Sequence, residues 1–101
     1  MPAELLWSYQ AQSDLDEILE FIHAESPKAA KSYVEGLAAS CEQLKNFPAS
    51  CRAYNANYRV LVFRSHLIFY RHDSAANAVT IAKVIDGRRD YGRLFKDFLK
   101  E

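Results

Sequence analysis

The sequence predicts an α+β domain: an N-terminal strand, an antiparallel helical hairpin packed on an antiparallel sheet of three to four strands, and a C-terminal helix. Three observations predict it. Leu15, Ile18, Leu19 and Ile22 fall at i, i+3, i+4 and i+7, the stripe of an amphipathic helix. Ser26-Pro27 then breaks the chain and restarts it in a second helical pattern. From Tyr58 to Ile85 the chain turns to β-branched and aromatic runs separated by short polar breaks.

Each element follows in order. Glu4 to Tyr9 alternates around Leu6, Trp7 and Tyr9 and predicts a short first strand. A helix begins near Ala11. Its acids Asp14, Asp16, Glu17 and Glu20 suit the positive end of the helix dipole and are expected mostly on its wet face, not as a paired acid/base site. Ser26 is a helix cap, and Pro27 is pre-organised for the first helical position. The second helix puts Ala30, Tyr33, Val34, Leu37, Ala38, Cys41 and Leu44 on one face and runs to about Lys45, because Pro48 prevents continuation. Gly36 inside it costs about 1 kcal/mol relative to alanine, which a close approach of the two helices would explain. Asn46 to Asn57 is aperiodic loop. Strands follow at about Tyr58–Phe63 and Leu67–Arg71. Neither Arg64 nor Ser65 favours positive φ, so a turn longer than two residues is expected between them. Asp73 to Asn77 is a turn, Val79–Ile85 a strand, and Asp90 to Lys100 a final amphipathic helix.

The 101 residues make one domain, 1–101, with a single modest core. Half are apolar and 13% aromatic, which excludes a disordered chain. No apolar run approaches the roughly 20 residues of a membrane span. The N-terminus lacks a basic region followed by an apolar stretch, so the expected location is the cytoplasm. Cys41 lies on an apolar helical spacing and is expected as a buried free thiol, since a disulfide with Cys51 is disfavoured in a reducing compartment. The three scattered histidines and two cysteines offer no zinc spacing, so no metal or other cofactor is expected.

Formal net charge is zero but unevenly spread. Residues 1–51 carry eight acidic side chains against three lysines; residues 52–101 carry ten basic against five acidic. Such asymmetry points to a charged binding surface. No nucleophile elbow and no glycine-rich phosphate loop occurs, so no catalytic residue is assigned. The arginines are more informative. Arg52, Arg59 and Arg71 are expected to converge on a sheet surface, with Arg88, Arg89 and Arg93 added from the C-terminal exit. Guanidinium forks bind phosphates or carboxylates and stay charged. They fit an RNA-cleaving site, a dock for an acidic protein, or surface arginines paired with Asp86, Asp90 or Asp97. The residues alone leave these three open.

An ordered set of short blocks then resembles the ParE/RelE toxin superfamily along nearly the whole chain: Asp14-Leu15-Asp16-Glu17-Ile18, Pro27-x-Ala29-Ala30-x-x-Tyr33, Leu44-x-x-Phe47-Pro48-x-x-Cys51-Arg52, Tyr58-Arg59-Val60-Leu61-Val62, Leu67-Ile68-Phe69-Tyr70-Arg71, and Val84-Ile85-Asp86-Gly87-Arg88-Arg89-Asp90. Cys51 stands where a small turn residue is usual. The resemblance implies a toxin of a type II toxin–antitoxin module, neutralised by a cognate antitoxin. RelE-like members cut mRNA on the ribosome with lysines on the second strand, arginines on the third and after the fourth, and a C-terminal tyrosine. ParE-like members lack that set and poison DNA gyrase by binding it. Here Arg59 matches one strand lysine, but Leu61 stands two residues on. The third-strand arginine falls near Leu67, with Arg71 further along. Arg88 or Arg89 matches the post-strand arginine, and Tyr91 stands near the tyrosine. The resemblance therefore implies a ParE-like binding toxin rather than a ribosome-dependent endoribonuclease. Arg59, Arg71, Arg88, Arg89, Tyr91 and Arg93 are its candidate contacts to antitoxin or gyrase. Sequence-specific nucleic-acid binding is not expected.

Overall fold

A computed structural model describes residues 1–100; Glu101, included in the single-domain expectation, lies outside them. The chain runs β1 (Glu4–Trp7), α1 (Tyr9–Glu25), α2 (Pro27–Glu42) and a 3-10 turn (Gln43–Lys45). It continues as β2 (Arg52–Ala53), β3 (Arg59–Phe63), β4 (His66–Asp73), β5 (Ala78–Asp86) and α3 (Tyr91–Leu99).

The sheet has five strands in the order β1-β5-β4-β3-β2. Strands β3 to β5 are antiparallel neighbours, as expected; β2 lies within the stretch expected as loop and adds a further antiparallel strand, and β1 pairs with β5 in parallel, so the five-stranded sheet is mixed. A strand followed directly by helices returns to the sheet only after a long connection, which permits parallel pairing. Register along β4 and β5 shifts at Phe69/Tyr70, where Ala82 is left over between Ile81 and Lys83. A bulge of this kind bends the strand locally and increases its twist.

Single serines set the helix boundaries. Ser8 accepts the Ala11 N–H at 3.0 Å and donates its own hydroxyl to the Ala82 carbonyl at 2.9 Å. Its capping starts α1 at Tyr9, two residues before the expected point. Ser26 ends α1 and caps α2 through the Ala29 N–H, with Pro27 in the first turn. One residue separates the helices, which pack as the expected hairpin.

Both faces of the sheet are covered. On one, Ile68, Tyr70, Val79, Ile81 and Val84 meet Tyr33, Leu37, Cys41 and Leu44. On the other, Val60, Phe69 and Ile85 receive Phe95 of α3. Phe95 stacks on Phe69 with ring centroids 4.1 Å apart, and Tyr54 and Tyr58 meet it edge-on. Cys41 is buried and free, its thiol pushed up to about 12 by burial.

Two local expectations are corrected. Gly36 does face a close approach, but the neighbour is the sheet, not α1. A Cβ there would lie 2.8 Å from Cζ of Phe63. The β3–β4 connection is a two-residue turn, with Arg64 at φ 53°. The Arg64 guanidinium lies 5.7 Å from the Tyr33 ring centroid and 5.4 Å from that of Phe63, and these cation–π contacts offset the strain of the left-handed backbone.

Candidate functional site

β1 is four residues long and covers only Ala78 to Ile81 of β5. Past Ile81 the edge of β5 faces a groove of about 640 Å³ walled by α1 and α3. Ile18, Phe21, Val84, Leu94 and Phe98 give it an apolar body. Phe21 is 74% exposed, an aromatic ring held in water on the groove wall.

An open strand edge is normally a liability for sheet-to-sheet pairing. Asp14 closes this one. Its carboxylate accepts the Val84 N–H at 3.0 Å and the Lys83 ammonium at 2.9 Å, while Gln10 donates to it from the preceding turn of α1. Asp14 is 8% exposed, which corrects its expected place among the solvated acids. The Lys83 ammonium is also 5.7 Å from the Phe98 ring centroid and so bridges both walls. The opposite charges of the two chain halves meet here.

One end of the groove holds a second polar group. Tyr33 of α2 and His66 at the start of β4 are buried and bonded through the phenol oxygen and Nδ1. Burial pushes the imidazole below its ordinary value, against the pull of Asp86, and pushes the phenol up. Both are therefore neutral near pH 7. The phenol has no other acceptor among the described residues, and we assign its O–H as the donor to Nδ1, which places the ring proton on Nε2. Asp86, cross-strand from His66, accepts two bonds from the Arg88 guanidinium, at 3.0 and 2.7 Å, and one from the Arg88 backbone N–H at 2.9 Å. These bonds hold the Asp86 carboxyl well below the usual carboxylate range. Arg89 lines the same end and makes no ion pair among the described residues.

The arginines do not form one surface. Arg59 pairs with Tyr70 across the strands, so it shares that face, and its guanidinium donates to the Cys51 carbonyl at 2.7 Å. Arg71 is the next residue after Tyr70 and projects from the opposite face. The expected convergence of Arg52, Arg59 and Arg71 is thus corrected by strand parity. Arg88 and Arg89 line the groove; Tyr91 and Arg93 stand outside it in the first turn of α3, Arg93 3.7 Å from Asp90. Sequence inspection missed Tyr33, His66, Lys83 and Phe21. A signal existed only for Phe21, an aromatic three residues after Ile18 beside the apolar stripe. Among the described residues no group of His, Cys, Asp and Glu could hold a metal ion.

The family model described as the ParE toxin of the type II toxin–antitoxin system parDE matches residues 5–91. Two solved structures share the fold. One is described as the chromosomal ParDE toxin–antitoxin system from P. aeruginosa, with TM-score 0.70 and 18% identity, covering 83% of this chain and 95% of that one. The other is the toxin–antitoxin complex RelBE2 from Mycobacterium tuberculosis, with TM-score 0.56 and 20% identity, covering 85% and 99%. Among curated proteins, none matches the sequence.

Proposed function

The chain belongs to the ParE toxin family of type II toxin–antitoxin systems, and on that premise we propose that it inhibits DNA gyrase by binding and is neutralised by a cognate antitoxin. One observation carries the choice of target. Leu61 and Leu67, at the positions where the ribonuclease branch places basic groups, pack into the two apolar clusters on either face of the sheet. Arg88, at the post-strand position, turns two of its guanidinium nitrogens to Asp86. A neutral formal charge also gives little attraction for ribosomal RNA. The antitoxin is supported by the family and by the groove, whose exposed Phe21 and apolar body suit a peptide segment. Among the described residues no helix is long and apolar enough to cross a membrane, which is compatible with action in the cytoplasm.

Purified gyrase provides the test. Supercoiling should fall, or cleaved DNA should accumulate, at micromolar protein. Full supercoiling activity at that concentration, together with mRNA cleavage on programmed ribosomes, would overturn the choice in favour of the nuclease.

A further inference from the structure

The Arg89 end of the groove collects hydrogen-bond donors whose protons are not taken. His66 is 8% exposed and lines the cavity, its Nδ1 is occupied by Tyr33, and its Nε2–H has no protein partner among the described residues. Arg89 is exposed and without an ion pair. Arg88 spends Nε and Nη2 on Asp86 and keeps Nη1. Asp86, the acid closest to quenching this group, is already held twice by Arg88. A planar anion is the chemistry that matches a ring N–H and guanidinium groups lining one groove.

The rest of the groove decides which anion. Glu17 and Asp97 also line it, with no ion pair among the described residues. A phosphodiester chain crossing the groove would bring its repeated negative charges past both carboxylates, whereas a peptide with one acid among apolar residues brings a negative charge only to the Arg89 end. We propose that His66, Arg88 and Arg89 form a carboxylate-binding subsite, occupied by one Asp or Glu side chain of the antitoxin. The apolar residues flanking that acid lie against Ile18, Phe21, Val84, Leu94 and Phe98. This inference rests on the proposal that an antitoxin neutralises the chain.

The probe is the protein encoded by the reading frame adjoining this one, purified in complex with the full chain. Its acids are changed singly to the corresponding amides and combined with Arg89→Gln in double-mutant cycles. One acid-to-amide change and Arg89→Gln should each weaken the complex about tenfold to a hundredfold, and the double variant little further. The His66 Nε2–H resonance of the unsubstituted protein should shift on binding that antitoxin and shift less with the amide variant. A tight complex in which no acid couples to Arg89, or in which His66 is unmoved, overturns the subsite. Binding of single-stranded RNA that Arg89→Gln abolishes, with no acid coupling, makes it a phosphate site and overturns it as well. Absence of any complex fails the antitoxin proposal itself, and the subsite with it.

Discussion

The Asp14 carboxylate of α1 accepts the backbone N–H of Val84 in β5 at 3.0 Å, so a helix side chain occupies a hydrogen-bonding position on the sheet edge that a sixth strand would use. The same carboxylate neutralises Lys83. One residue therefore ties α1 to β5, occupies the strand edge at Val84 and lines the groove.

Replacing Asp14 with alanine leaves a mostly buried ammonium unpaired and a strand N–H unsatisfied. Asp14→Ala should cost about 3 kcal/mol in urea denaturation. Asp14→Asn keeps an acceptor for Val84 and should cost about half as much. Equal losses in both variants would show that the Val84 bond contributes nothing.

His66 gives a pH dependence with a defined sign. Burial lowers its folded pKa below the ordinary 6.5, so the unfolded chain binds a proton that the native imidazole refuses. This contribution is complete above about pH 6.5 and is lost as pH falls toward the lower folded value. Asp86 acts in a separate window: its folded pKa is depressed, so its contribution is present above 3.8 and lost as pH falls below that. Thermal melts from pH 8 to 5 should show a decline that flattens in His66→Gln; an unchanged slope would assign it to other groups. Tyr33→Phe strands Nδ1 and should cost about 1–3 kcal/mol.

Phe95 is the anchor of α3, 1% exposed and in aromatic contact with Tyr54, Tyr58, Phe69 and Phe98. Phe95→Ala should destabilise the domain by about 3–5 kcal/mol. It should also collapse the near-UV circular dichroism of the tyrosine cluster. Retention of that signal would mean that α3 is held by its Asp90 cap and Lys83 contacts instead.

At Gly36 two effects oppose. Alanine favours the helix by about 1 kcal/mol, but its Cβ meets Phe63, whose ring is held edge-on by Tyr33 at 5.2 Å and covered by Arg64. Gly36→Ala should therefore be destabilising by about 1 kcal/mol in the natural background. In a Phe63→Leu background the same change should stabilise. A sign that does not reverse would exclude the ring as the cause.

Local signals in the chain located the elements well. The Leu15, Ile18, Leu19, Ile22 stripe, the Ser26-Pro27 restart and the apolar runs after Tyr58 each became the expected helix or strand. Turn chemistry was less legible, because Arg64 adopts positive φ only with Tyr33 and Phe63 beneath it. The candidate site was partly legible. Arg88 and Arg89 follow a strand and were identifiable as a basic exit, but their company was not. Arg59 and Arg71 looked alike in sequence and lie on opposite faces, a parity that only the cross-strand register reveals.

The sequence by itself determined the order of helices and strands, the helical hairpin and the family, because periodicity, capping and motif order are local properties of the chain. Tertiary structure alone decided which polar groups are buried and which remain free. Asp14 carries no local mark distinguishing it from Asp16 or Glu17; its partners Lys83 and Val84 lie 69 and 70 residues away. His66 likewise became a mostly buried residue lining the groove only when α2 brought Tyr33 to its Nδ1. Burial and pairing are set by contacts between distant segments, and that is where the groove acquired its chemistry.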